Sequence, residues 1–151
     1  MTTLIIDSNI GAKLFTQEED SQQAVDLFAA GVLRKYAFVV PELFKYEIAS
    51  IAYRKRIPLE PVLDFFDEQV DKVLSYEKPT TLTWLKAEEI AQTGNLKSGF
   101  PAMYDSIYQA MAIEHNGVFV TADKRHFEKA KQHGHIMLLS EWERLFAENK
   151  H

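Results

Sequence analysis

The chain has 151 residues, 46% hydrophobic and 26% charged, close to globular averages, which excludes a disordered, collagen-like or coiled-coil chain. There is no cysteine, so thiol catalysis, thiolate zinc sites and disulfide frameworks are excluded. Lys and Arg number 17 against 22 Asp and Glu, a net charge of −5, which excludes duplex binding through bulk positive charge.

In chain order, Leu4-Ile5-Ile6 is a short apolar run with β-branched residues and reads as a buried strand. Residues 21–33 place Ala24, Val25, Leu27, Phe28 and Val32 near helical spacing, with Asp20 or Ser21 as cap. Gly31 either ends that helix or sits inside it. Ala37-Phe38-Val39-Val40 is a second strand, stopped by Pro41. Residues 42–56 read as a helix with Leu43, Tyr46, Glu47, Ser50, Ile51 and Arg54 on one side. Pro58 ends it, and Pro61 suits the first turn of the next helix. That helix carries Val62, Leu63, Phe65, Phe66, Val70, Val73 and Leu74.

Residues 75–78 are predicted as a third strand, and 80–92 as a helix with Leu82, Leu85, Ala87 and Ile90 apolar. Gly94, Asn95, Gly99 and Pro101 mark 93–101 as a loop. A helix over 102–115 ends at Asn116-Gly117. Val118-Phe119-Val120 is a strand, 124–132 a helix, Ile136-Met137-Leu138 a fifth strand, and 141–146 a last helix capped by Ser140. Short apolar strands alternating with helices imply an α/β fold: a parallel sheet covered by helices on both faces. One domain over residues 1–151 is expected. No apolar run approaches about 18 residues, and the first residues lack a basic, then apolar, leader pattern. A cytoplasmic protein is the default expectation.

In open parallel sheets, sites form beyond the carboxyl ends of the strands. Asp7-Ser8-Asn9 follows the first strand, Glu47 lies in the helix after the second, and Thr121-Ala122-Asp123 ends the fourth. Asp105 stands in the first turn of the helix that feeds the fourth strand. Singly, each acid has a structural account: Asp7 and Asp123 as helix caps, Asp105 as a first-turn acid favoured by the helix dipole, and Glu47 as a solvated helix residue. Glu47 fits that account least, because Tyr46, Ile48, Ile51 and Ala52 surround it in sequence.

Together the acids form a pattern. Leu-Ile-Ile-Asp-Ser-Asn-Ile at 4–10, Val-Val-Pro-Glu-Leu-Phe-Lys-Tyr-Glu-Ile at 39–48, Tyr-Asp-Ser-Ile-Tyr-Gln-Ala-Met-Ala at 104–112 and Val-Phe-Val-Thr-Ala-Asp-Lys-Arg-His-Phe at 118–127 occur in this order. With them the chain resembles the PIN-domain nucleases, and within them the VapC-type ribonuclease toxins of bacterial toxin–antitoxin pairs. The resemblance implies sheet order 3-2-1-4-5 and a metal-binding, catalytic set of Asp7, Glu47, Asp105 and Asp123. Thr121, Ser8 and Asn9 match supporting polar positions. Arg125-His126 stand where some members carry a further acid. The implied partners are RNA, a small cognate antitoxin and a second copy of the chain.

Phosphodiester hydrolysis needs an activated water, charge neutralisation and a stabilised leaving oxygen, which Mg2+ or Mn2+ supplies when carboxylates hold it with open positions. The one close histidine pair, His133-Gly134-His135, lies before the fifth strand, far in sequence from the acids, and reads as a surface turn. Candidate RNA contacts are Arg54 and Lys124, with Lys13, Lys97 and Arg125 as further cations. Leu14, Phe15, Phe28, Phe44, Phe65 and Phe66 offer themselves as partner anchors or, more simply, as core. Two other enzyme-like folds also place an Asp after the first strand. A haloacid-dehalogenase-like phosphatase normally needs a second Asp two residues on, where this chain has Asn9. A phosphoacceptor receiver domain needs adjacent acids there. The remaining rival is a non-catalytic RNA-binding module of the same fold.

Overall fold

Four of the five strands carry an apolar run of at least three residues, and all five align in one direction. A computed structural model describes residues 2–70, 72–94, 96–97 and 99–147. The strands are β1 (Thr3–Ile6), β2 (Ala37–Pro41), β3 (Leu74–Glu77), β4 (Val118–Thr121) and β5 (Ile136–Leu138). They form a parallel sheet in the order β3-β2-β1-β4-β5. Leu4 pairs with Phe38 on one side and Val118 on the other. The fold class and strand order are as expected.

Between the strands run α1 (Ser8–Lys13), α2 (Ser21–Leu33), α3 (Leu43–Arg54), α4 (Leu59–Gln69), α5 (Thr81–Ala91), α6 (Met103–Glu114), α7 (Lys124–Ala130) and a short α8 (Arg144–Ala147). Right-handed crossovers place the helices that connect β1 to β2 to β3 on one face, and those that connect β3 to β4 to β5 on the other. The packing agrees: α1 meets α2 and α3, α3 meets α4, and α5 lies on α6. The β1 and β4 connections therefore leave in opposite directions. Their carboxyl ends border the crevice where ligands of such sheets bind.

Helix α6 is buried all round. Its residues 106–112 are covered without interruption, because it lies across β1, β2 and β4 and is itself roofed by α5. That explains a departure in α5, where Thr83, Ala87 and Ile90 face inward while the expected Leu82 and Leu85 stay exposed. In α3 the buried face is Phe44, Ile48, Ile51 and Ala52. The side with Tyr46, Ser50 and Arg54 points outward, and Glu47 sits half-buried at its edge.

Other boundaries shift. Leu74, expected at the end of a helix, begins β3 and pairs with Phe38; α4 stops at Gln69, since Val70 and Val73 favour extended backbone. Asp20 leads α2 without capping it and pairs with Lys13 instead. The chain after β5 forms a 3-10 turn over Leu139–Glu141 before α8, in place of one continuous helix. Asn95 of the expected 93–101 loop lies outside the described residues.

Two glycines carry fixed duties. Gly31 lies inside α2, where an added Cβ would collide with the Phe38 ring. Gly117 follows Asn116, which has φ +50°, and packs so tightly on the Thr3 carbonyl that no side chain fits. The phenylalanines named as anchors or core are core. Phe44 and Phe66 are buried, Phe15, Phe28 and Phe65 pack against the same cluster, and edge-to-face contacts join Phe44 to Phe66 and Phe15 to Phe65.

Candidate active site

Asp7 follows the last residue of β1 and serves two neighbours. Its Oδ1 accepts the Ile10 amide at 2.8 Å and so caps α1. Its Oδ2 accepts the Thr121 hydroxyl at 2.7 Å from the end of the adjacent β4. The Thr121 oxygen in turn accepts the Asp123 amide at 3.0 Å. Asp123 caps α7: its Oδ1 accepts the amides of Arg125 and His126 at 3.0 and 3.1 Å. The capping account of both residues is thus correct, and it leaves the second carboxylate oxygen of Asp123 without a protein hydrogen bond among the described residues.

Asp105 occupies the first turn of α6. One turn later, buried Tyr108 donates its hydroxyl to Glu47 Oε1 at 2.6 Å, tying α6 to α3. The Ser8 hydroxyl lies beside the same phenol. Asn9 faces solvent. Among the described residues no hydrogen bond or ion pair relieves Asp105.

The consequence is electrostatic. Burial, then the charges of Asp7, Asp123 and Glu47, push the Asp105 carboxyl from its ordinary 3.8 up to about 7. Burial likewise raises Asp7 to about 6, against the opposing pull of the Ile10 and Thr121 hydrogen bonds and with help from Asp123 and Glu47. Burial and the Glu47 charge hold the Tyr108 phenol firmly protonated, as a donor. All four expected acids therefore share one neighbourhood at the carboxyl edge of β1 and β4.

Among the described residues, no three of His, Asp and Glu stand at the separation that grips a metal ion. The donor set still suits a hard, hydrated cation. It is all oxygen, it holds an unrelieved carboxylate in Asp105, and Mg2+ keeps several waters and needs only one or two carboxylates.

The other candidates scatter. Lys13 is occupied by Glu18 and Asp20. Arg54 lies two turns beyond Glu47, its guanidinium on the Ser50 carbonyl. His133 and His135 face Thr93 and the Gly117 carbonyl, away from the acids. Lys124 and Arg125 adjoin Asp123 directly. Tyr108 was missed in the sequence because an aromatic residue on a helix reads as core; its spacing of three from Asp105 was the available signal. A buried polar pair was missed as well: Gln109 Oε1 meets His126 Nε2 at 3.2 Å, and the Gln109 amide reaches the Ala130 and Gly134 carbonyls.

The PIN domain family matches residues 4–132. A search of curated proteins returns no match. Solved structures share the fold at low identity. VapC20 of Mycobacterium tuberculosis, a Sarcin-Ricin loop cleaving toxin, is 12% identical with a TM-score of 0.64, over 83% of this chain and 93% of that one. VapBC2 of Rickettsia felis, bound to a promoter DNA fragment, is 13% identical with a TM-score of 0.65, over 91% and 97%. A toxin–antitoxin complex from Klebsiella pneumoniae is 14% identical with a TM-score of 0.60, over 90% and 97%. With that family match over most of its length and this strand order, the chain belongs to the PIN-domain family and has the fold of VapC-type members.

Proposed function

We propose that the protein is a Mg2+- or Mn2+-dependent endoribonuclease, a single catalytic domain over residues 1–151, and the toxin of a toxin–antitoxin pair. The observation that carries this reading is Asp105, a partly buried carboxyl facing three others with no counter-charge. Carboxyls perturbed by burial and by like charges in this way cluster at functional sites. Two solved structures of the same fold, one a Sarcin-Ricin loop cleaving toxin and the other a toxin–antitoxin complex, support the same reading.

The metal would be held by Asp7, Asp105 and Asp123, with Glu47 as a further ligand or as the group that orients the attacking water. When bound, it supplies charge neutralisation at the phosphoryl oxygens and acidifies water. The chain's own part is positional. Thr121 fixes the Asp7 carboxylate and the Asp123 backbone together. Tyr108 donates to one Glu47 oxygen and so fixes the position of that carboxylate. Asn9, solvent-facing, occupies the position where a phosphatase of the dehalogenase type needs its second acid. Among the described residues no helix is long and apolar enough to cross a membrane, in keeping with cytoplasmic RNA as substrate. The partners are a cognate antitoxin and a second copy of the chain.

The test is cleavage of labelled RNA with Mg2+, Mn2+ or EDTA, read by end chemistry. The expected product carries a 5′-phosphate, and Asp105→Asn abolishes it. Cleavage that persists in EDTA, leaves 2′,3′-cyclic ends or survives Asp105→Asn defeats the proposal.

A further inference from the structure

Several of the cations on this acidic protein are paired with acids. Lys13 pairs with Glu18 and Asp20, Lys45 with Asp67, Lys55 with Glu18, Lys86 with Glu89, and Lys131 with Glu128. Lys124, Arg125 and Lys129 have no such partner among the described residues. All three lie on α7 and line one groove of about 690 Å³, whose other wall is Thr93 and Gly94. The one acid in its lining, Glu128, is already neutralised by Lys131 at 2.7 Å.

The far wall is folded onto itself and brought up to α7. A Cβ on Gly94 would touch the Phe100 ring at 3.2 Å, and one on Gly99 would stand 3.2 Å from Lys129 Nζ. Phe100 is thereby held beside the groove with 47% of its surface exposed. Arg125 and Lys129 are one helical turn apart on the same face, about 6 Å along the axis. Asp123 immediately precedes Lys124 and caps the helix that lines the groove, its carboxylate accepting the Arg125 amide.

We propose that this groove is the path of a single-stranded RNA on one side of the cut. The backbone phosphates lie on Lys124, Arg125 and Lys129, and a base lies on the Phe100 ring. The inference rests on the nuclease reading for its substrate, but not for its geometry. A run of unneutralised cations with an exposed aromatic ring beside it is the composition that binds single strands without reading sequence. On a chain of net charge −5, such a run also sets the direction from which a polyanion can approach four carboxylates. Arg54 offers no equivalent, since its guanidinium turns back on its own helix and the adjacent Lys55 is paired with Glu18.

The experiment measures anisotropy of an end-labelled single-stranded RNA of about 12 nucleotides. It uses the full chain carrying Asp105→Asn, in EDTA, so that binding is read without cleavage. Arg125→Ala with Lys129→Ala weakens binding about tenfold and flattens the dependence of log affinity on log salt by about 1.4, two phosphate contacts on a single strand. Phe100→Ala weakens binding with the salt slope unchanged. Arg54→Ala stays within about twofold. Arg125→Ala alone, at an exposed position, guards against misfolding of the double variant.

Unchanged affinity in both Arg125→Ala and the double variant overturns the proposal, as does absence of RNA binding. Polyglutamate competing as well as unlabelled RNA overturns it too, and reassigns the groove to an acidic protein segment. If RNA binds through the groove but the unsubstituted chain with Mn2+ leaves it intact, the groove stands and the nuclease reading falls.

Discussion

The Thr121 hydroxyl donates to Asp7 Oδ2 at 2.7 Å although 114 positions separate the two in sequence. One oxygen thereby joins the ends of neighbouring strands, because it also accepts the Asp123 amide. Replacing Thr121 by Val keeps the β-branched shape and removes both bonds. A buried carboxylate and a backbone amide lose their partner, at a cost of about 1–3 kcal/mol. Urea unfolding at neutral pH is expected to show that loss in Thr121→Val and little of it in Thr121→Ser.

Stability without metal is expected to fall as pH rises. The folded Asp7 and Asp105 release their protons near 6 and 7, and the unfolded chain releases them near 4. Between those limits the native state holds more protons, so its stability declines with pH and is lowest once both groups are ionised. Asp105→Asn, which has no hydrogen bond to forfeit, is expected to be more stable than the unsubstituted chain at pH 8 by about 2–4 kcal/mol. The difference is expected to vanish below about pH 4. Thermal unfolding in EDTA across that range checks both; a profile that rises toward pH 8 contradicts them.

Divalent cations act against the same repulsion. At pH 7.5 Mn2+ is expected to raise the melting temperature, by mass action on the native state, with a much smaller rise in Asp105→Asn. The effect is expected to fade below about pH 5, where protons occupy Asp7 and Asp105. Differential scanning fluorimetry with and without EDTA reads it. Equal shifts in both proteins would place the cation elsewhere.

Tyr108→Phe removes one oxygen and leaves the ring stack on Phe119 in place. Losing the hydroxyl's bond to Glu47 is expected to cost about 1.5–3 kcal/mol, the range for a charged acceptor. RNA cleavage is expected to fall more than RNA binding, since the bond orients a carboxylate and touches no nucleotide. A variant that keeps full cleavage removes Tyr108 from the centre's framework.

Much of this was legible in the sequence, and the exceptions have physical causes. Strand-end placement of Asp7 and Asp123 follows from short apolar runs halted by polar residues, and their capping bonds are local. Glu47 and Asp105 depend on how α3 and α6 approach the sheet, which spacing along one helix does not encode. Their association follows only from the strand order, in which β1 and β4 are neighbours. The same limit explains α5. Leu82 and Leu85 look core-facing to any periodicity argument, yet the helix lies on another helix and turns Thr83 inward to Glu114. Tyr108 was hidden because burial and hydrogen bonding coincide in one side chain, and apolar patterning registers only the first.

The late arrival of β4 beside β1 has a bearing on biosynthesis. Asp7 leaves the ribosome well ahead of its hydroxyl partner and the neighbouring carboxylate of Asp123, which follow more than a hundred residues afterward. Every truncated or still-growing polypeptide short of Asp123 lacks a finished centre. A chain still short of β4 therefore holds Asp7 without the hydroxyl that fixes it, and the centre takes shape only when the late strand docks beside β1.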